Sequence, residues 1–566
     1  MMSTSFNRII SILQKEIDVR ALLKKLNTRA VHKFILLFVV ALGILCILKP
    51  WYIYYDPLCD VGFFLDSAKY FPVMGVPTYH YSPYYGKVVV APCLNEPRWL
   101  FFGMLSVGGY TIGFGNAAII FALTSWSLFF VAMYYLTSEF AGEKWALLTF
   151  PLIGTFWINV AWFPSAISEA LGYPLFAFAV LLLIKRKSPL LSLVLFILSG
   201  LVRYHLLLAS IPVLALFYML DRKAIVPNIQ HEKQYLFSLF AVMFTLFIND
   251  NLSLYFIGHV PYQYQLEWLV KGGGIGASYV GQSFSYGYLN SLWAYFLWVG
   301  WQAAHLMGLG FLGILVAFLR IPDKKHLTSW HNTRHLQSWV KLIVVTAIFL
   351  LFPAVLNPIQ FGGYHYEFYI FGFALLGVSA VYFIKTMWNA ARTRLQTNRK
   401  VGGIFLLLIL SSSLLLGGVP QIQGFEEMRR IELEAHAGLR IIGDEYVKIF
   451  EKEEGDFYIM DEYPWMWFYY PPTEQYWKHF YSTWDLTFDS LTKSRYLVVY
   501  RFERMGGWQS KGIPDSLLTP ARHEFYLFEN EPSWRTRVVV EPHKYVEFTE
   551  LIICIYKITE VERIGT

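Results

Sequence analysis

Apolar runs near or above about 18 residues mark membrane-spanning helices, and the windows 34–49, 116–136, 165–184, 235–257, 338–356 and 401–419 carry such runs. Followed along the chain, the pattern predicts about eleven spans, near 34–49, 116–137, 145–160, 165–184, 189–201, 205–220, 235–257, 290–319, 338–356, 365–385 and 401–419. The first run reads as a retained anchor. The 33 residues before it hold seven Lys and Arg, and it ends at Lys49-Pro50-Trp51 with no small-residue cleavage site. Residues 189–220 have basic residues at both flanks and so need an even number of crossings, which predicts two short helices meeting near Arg203.

Three stretches do not read as spans. The loop 51–97 leads into 99–112, a short, Gly-rich apolar stretch with the character of an interfacial or re-entrant segment. The loop 258–289 contains Lys271-Gly272-Gly273-Gly274 and many Tyr, and reads as a mobile lid or acceptor loop. After residue 420 a charged helical pattern at 425–452 gives way to strand-like runs at 456–460, 495–500, 536–540 and 551–557, which predicts a small α/β domain. The expected fold is therefore a polytopic α-helical membrane protein, residues 1–420, with a C-terminal α/β domain, residues 421–566.

Composition supports the class. The 566 residues are 56% hydrophobic and only 15% charged, against about 25% charged in a typical soluble domain, which excludes an ordinary cytosolic enzyme. Charge then gives an orientation. Residues 1–420 hold 30 Lys and Arg against 15 Asp and Glu, whereas 421–566 hold 17 against 25, so the tail belongs to a different compartment's surface. By the positive-inside rule, the clusters at 8–33, 185–187, 222–223, 320–325 and 392–400 mark cytoplasmic ends. The expectation is a multi-pass protein of the cell membrane, the bacterial inner membrane in particular, with its N-terminus cytoplasmic and the C-terminal domain extracytoplasmic. Membrane lipids are expected partners and nucleic acid is not. Four cysteines without a CxxC give no metal or redox motif, although Cys59 and Cys93 share a loop whose compartment would permit a disulfide.

Ionisable side chains near membrane depth are costly and functional by default. That rule selects Asp56, Asp60, Asp66, Glu169, Arg203, His205, His305, His365 and Glu367, all but His305 at external helix ends. An external site has no ready ATP or nucleotide sugar, so group transfer there needs a lipid-borne donor or a pre-activated substrate. The Gly272-to-Gly276 cluster is not a phosphate loop, since no strand precedes it.

The run Cys59-Asp60-Val61-Gly62-Phe63-Phe64-Leu65-Asp66-Ser67-Ala68, followed by Gly75, resembles the first external loop of GT-C glycosyltransferases. These are membrane enzymes that use polyprenyl-phosphate sugars, and the similarity is to their protein O-mannosyltransferase and lipid A aminoarabinose transferase branch. Asp60, Phe64, Ala68 and Gly75 occupy the pattern's positions, while Val61 stands where the family has a second acidic residue. Glu96-Pro97-Arg98-Trp99 with Phe114-Gly115, Ser165 to Glu169, and Gly200-Leu201-Val202-Arg203 resemble three further family segments. These are the re-entrant helix, a second acidic position, and the helical hairpin whose basic residue meets the lipid phosphate.

The resemblance implies transfer of a sugar from a polyprenyl-phosphate donor to a hydroxyl on a lipid, glycan or protein acceptor. Such transfer needs a base for the acceptor and cationic groups for the leaving phosphate. Asp60 is the candidate base, and Glu169 positions the acceptor or, with Asp60, holds a divalent cation. Arg203, Lys271, Arg98 and His205 are candidates for the phosphate, and His365, Glu367 and Asp66 for the acceptor pocket. Each has a plainer alternative. Asp60 caps the helix starting near Val61, Asp66 is a solvated or structural charge, and Glu169 pairs structurally with Arg203 or Arg98. Arg203 snorkels to the interface, and His305 is a packing residue. The competing classes are an O-antigen ligase or polymerase, which relies on arginines and a histidine in a large late loop, and a transporter, which is expected to show broken helices in related halves.

Overall fold

The computed structural model describes residues 28–48, 61–74, 78–81, 88–92, 98–155, 167–186, 189–222, 229–257, 308–319, 330–356, 369–461, 467, 472–482, 486–502, 514–528, 534–548 and 551–565. Asp56, Asp60, Lys271, His305, His365, Glu367 and the Cys59–Cys93 pair lie outside them.

The apolar runs form the helices expected of them. α1 is Thr28–Leu48, α2 Val61–Met74, α3 Trp99–Ile112 and α4 Phe114–Ala141. Between α2 and α3 lies an antiparallel ribbon of β1, Thr78–Tyr81, and β2, Val88–Pro92. α3 turns sharply into α4 at Gly113, whose φ of 87° suits glycine. A second such residue, Gly142 with φ 82°, ends α4. The run expected to span at 145–160 instead opens as two short helices, α5 Glu143–Ala146 and α6 Thr149–Gly154, with a turn between them.

α7, Ser168–Ile184, α8, Pro189–Val202, and α9, Tyr204–Arg222, follow, and Arg203 stands alone between the last two as the expected hairpin requires. Gly200 permits the close crossing, since a Cβ there would lie 2.6 Å from Leu207 Cβ. The remaining bundle helices are α10, Ile229–Ile257, α11, Gly308–Leu319, α12, Trp330–Leu356, and α13, Ile370–Leu395. Among the described residues six helices are long and apolar enough to cross a membrane, and five shorter apolar helices accompany them. The chain is a multi-pass membrane protein.

Charged side chains segregate to the two ends of the bundle. At one end Lys33 pairs with Glu143 at 2.5 Å, Lys185 with Glu139 at 3.5 Å and Arg222 with Glu232 at 3.7 Å. Arg98, Glu169 and Arg203 lie at the opposite helix termini.

α14, Lys400–Lys452, is one continuous helix of 53 residues, about 80 Å long. The boundary drawn at residue 420 therefore falls inside it, beside Pro420. Gln421 ties this point to the bundle by donating to the Leu152 carbonyl at 2.8 Å and Thr155 Oγ1 at 3.2 Å. The tail builds a six-stranded sheet from β3 Tyr458–Asp461, β4 Phe480–Ser482, β5 Ser494–Phe502, β6 His523–Phe528, β7 Trp534–Glu547 and β8 Leu551–Gly565. A short helix, α15, Phe488–Lys493, precedes β5. The strand order is β4-β3-β5-β8-β7-β6, with β3 parallel to both its neighbours.

Period-two alternation divides the sheet's faces. Val498, Tyr500, Ile553 and Ile555 share a core with Leu439, Ile442 and Tyr446 of α14, while Leu497, Val499, Cys554 and Tyr556 fill the other face. Buried Asp461 joins the layers, accepting from Tyr446 of α14, Tyr500 of β5 and Trp467 Nε1.

Candidate active site

The start of one helix and the break between two others build the candidate site. α7 starts at Ser168 after the extended residue Ile167, which places Glu169 in its first turn, where the helix dipole favours a carboxylate. Arg203 occupies the break between α8 and α9. Its N–H still donates to the Ser199 carbonyl at 2.9 Å, and its own carbonyl accepts from Leu206 N–H at 3.0 Å.

The helix start and the break meet. Arg203 Nε lies 2.6 Å from Glu169 Oε1, with the side chains 7% and 3% exposed, and Ser168 Oγ donates to Glu169 Oε2 at 3.0 Å. Gly172, one turn on, makes this approach possible, because a Cβ there would lie 2.5 Å from Leu206 Cδ1. A buried carboxylate and guanidinium so close neutralise each other, and removing either leaves an uncompensated buried charge.

Neighbouring elements extend the cluster. Arg98 enters α3 in a left-handed conformation, φ 37° and ψ 47°, with its guanidinium 5.0 Å from the Phe64 ring centroid of α2. Phe64 also packs edge-on against Phe101 and Phe102 of α3, which fixes the loop helix to the bundle. Trp99 Nε1 donates to Asn249 Oδ1 at 2.9 Å, and the Tyr204 hydroxyl to Asp250 Oδ1 at 2.9 Å. Trp99, Leu201, Thr245, Ile248, Asn249, Leu252 and Phe256 surround a largely apolar groove of about 290 Å³.

Of the expected residues, the structure joins Glu169 with Arg203 and places His205 two residues further into α9, half-buried. Asp66 is buried at 5% exposure in α2, which excludes a solvated charge and leaves the structural charge as its plainer alternative. The snorkelling alternative for Arg203 fails as well, because its side chain is buried on Glu169. Tyr204, Asn249 and Asp250 were not singled out from sequence. The last two were passed over as part of an apolar run, although two adjacent polar side chains inside one were a usable signal.

Among the described residues no group of three or more His, Cys, Asp and Glu side chains is arranged to hold a metal ion. Glu169 is paired with Arg203, and Asp60, its expected partner in holding a divalent cation, lies outside the described residues.

No family model matches the sequence, and a search of curated proteins finds no match. Among solved structures, the chain is similar to the Archaeoglobus fulgidus oligosaccharyltransferase in its apo form, at 11% identity over 82% of this chain and 69% of that one, with a TM-score of 0.45. It is also similar to that organism's oligosaccharyltransferase AglB in complex with an inhibitory peptide and a dolichol-phosphate, at 11% identity, the same coverage and a TM-score of 0.44. ArnT from Cupriavidus metallidurans bound to undecaprenyl phosphate is similar at 9% identity over 93% of this chain and 98% of that one, with a TM-score of 0.43.

Proposed function

We propose that the chain is a membrane glycosyltransferase of the GT-C type. It moves a sugar from a polyprenyl-phosphate donor to an acceptor hydroxyl at the extracytoplasmic end of its helical bundle, in the bacterial inner membrane. The observation that carries the reading is an apolar groove lined by residues that neighbour two arginines along the chain. Leu201 and Trp99 line the groove, two residues from Arg203 and one from Arg98. That arrangement matches a ligand with an anionic head and a long apolar tail.

In the proposed step the acceptor oxygen attacks the anomeric carbon of the donor sugar. The bond from that carbon to the phosphate oxygen breaks, and polyprenyl phosphate leaves with the added negative charge. Asp60 takes the acceptor's proton. Arg203, assisted by Arg98, Lys271 and His205, stabilises the departing phosphate, for which a guanidinium fork is well shaped. Glu169 holds Arg203 at the helix break until the phosphate arrives. His365, Glu367 and Asp66 are assigned to the acceptor side.

Donor affinity tests the reading. Arg203→Ala alone would strand Glu169 in a dry site, so the informative variant is Arg203→Gln with Glu169→Gln, a neutral pair of similar shape. Titration with a polyprenyl-phosphate sugar should show affinity reduced by about 10- to 100-fold, the value of one charged hydrogen-bonding partner. Unchanged affinity in the folded double variant removes Arg203 from the donor site.

A further inference from the structure

The end of the bundle opposite Glu169 holds a second buried charge cluster. Asp221, in the last turn of α9, and Lys341, in α12, are 3% and 1% exposed at their side chains. Lys341 Nζ lies 2.8 and 2.7 Å from the two Asp221 carboxylate oxygens, and it also donates to the Leu183 carbonyl of α7 at 3.2 Å. The Tyr235 hydroxyl donates to Asp221 Oδ2 at 2.8 Å, and Arg186 Nε lies 3.5 Å from Oδ1. Arg186 also donates to Gln337, one turn before Lys341. One ammonium therefore binds the carboxylate of α9 and a C-terminal carbonyl of α7 together.

From that point α12 runs along α7. Lys341, Val345 and Phe349 follow at i, i+4 and i+8 and share a helix face. The first meets Leu183. The last places its ring 5.0 Å from Phe176 and 6.2 Å from Tyr173, which stacks in turn on Phe371 of α13 at 5.5 Å. α7 and α9 are thus tied at one end by Glu169 and Arg203 and at the other by Asp221 with Lys341 and Arg186. Between these ties α7 offers Tyr173, Phe176, Ala177, Val180 and Leu181, an apolar surface with no charged group of its own to oppose a shift in register. A lysine bound to one carbonyl and one carboxylate tolerates no such shift.

We propose that Lys341 and Asp221 are positioning residues. Their ion pair fixes α12 and α9 against the C-terminal end of α7, and so sets where α7 presents Glu169 to Arg203, about 21 Å along the helix from Leu183. The assignment rests on Glu169 and Arg203 belonging to the functional site.

Hydrogen exchange of the full chain in nanodiscs, followed by mass spectrometry, tests it without turnover. Lys341→Met and Asp221→Asn should each lower the thermal midpoint, and Lys341→Met with Asp221→Asn should restore most of it, since neither buried charge of the pair is then left without its partner and the Asn carbonyl still accepts from Tyr235 and Arg186. In the restored double variant, amide exchange at residues 168–172 and 203–207 should still rise, by about threefold or more, as local opening becomes easier. Wild-type exchange there, with changes confined to residues 183–186 and 221, would overturn the proposal and leave the pair purely structural. Should the double variant not fold, Lys341→Arg, which keeps the charge but changes its reach, is read at the same far residues with the same criterion. A wild-type protein that transfers no sugar would defeat the proposed activity, whereas the exchange result decides the positioning role by itself.

Discussion

Two buried ion pairs bracket α7, and the contrast between them shows what burial does and does not reveal. Glu169 with Arg203 and Asp221 with Lys341 are similarly dry and similarly close. The Lys341 ammonium has three N–H donors, and two carboxylate oxygens and the Leu183 carbonyl stand around it as acceptors. The Phe217 ring covers it at 5.0 Å. Arg203 instead occupies a helix break, with an apolar groove beginning two residues away. A charge held at membrane depth is costly in both places. Its surroundings separate a candidate binding group from a structural one: a broken backbone and an adjacent apolar groove, against an ammonium enclosed by a carboxylate, a carbonyl and a ring.

The strongest way to break this contrast is at the residue assigned the chemistry. Asp60→Asn should abolish transfer in an assay with lipid-linked sugar, with a loss of about 10²-fold or more, while donor binding and expression persist. Asparagine keeps the shape and can still cap α2, so an Asp60 that only capped the helix would leave near-normal activity. Asp221→Asn makes the complementary case, lowering thermal stability through the loss of a buried partner. Activity retained in Asp60→Asn would remove the assigned base, and with it the chemical difference between the two ends.

A second, all-or-none measurement asks which end faces outward. In a chain whose four native cysteines are replaced, Gln396→Cys, just past α13, should stay unreactive toward an impermeant thiol reagent applied to intact cells. Labelling there would invert the bundle and put Glu169 and Arg203 on the cytoplasmic side, where a donor exposed at the outer face could not reach them.

The helices were legible because long apolar runs leave few other structures available. Their charged connections were legible too, since Arg186 and Arg222 do sit at one end of the bundle. Hydropathy was blind to single polar residues inside such runs. Asn249, Asp250 and Lys341 lie in windows whose averages stay apolar, and that Lys341 meets Asp221 across 120 positions is a fact of packing rather than pattern. The reach of α14 was hidden for a different reason. Composition changes near residue 420 from apolar to Glu- and Arg-rich, but both halves favour helix, and Pro420 did not interrupt it. In the sheet, β3, β5, β7 and β8 each overlap a strand-like run expected from sequence, whereas the three-residue β4 and the edge strand β6 do not.

The smallest expected effect supplies a third ion-paired carboxylate, one that water reaches. Glu453, at the end of α14, accepts from the Tyr496 hydroxyl and Arg495, both at 2.8 Å, and from Lys557 at 3.1 Å, and its side chain is 23% exposed. The hydrogen bond from Tyr496 comes first among the causes, followed by that from Lys557, in moving its pKa from 4.5 down to about 2. A carboxylate with a depressed folded-state pKa contributes stability above its unfolded value, and loses it as pH falls through the folded value. The contribution should therefore be complete above about pH 4.5 and fade toward pH 2. Screening by solvent limits it to about 1 kcal/mol, well below the cost of breaking either buried pair. Glu453→Gln should accordingly lower the stability of the C-terminal domain within the full chain by about that amount at neutral pH, and flatten its dependence between pH 4.5 and 2. Chemical denaturation followed by the domain's tryptophan fluorescence reads both effects. An undiminished acid dependence in the variant would assign that titration to another carboxylate and remove Glu453 from the comparison.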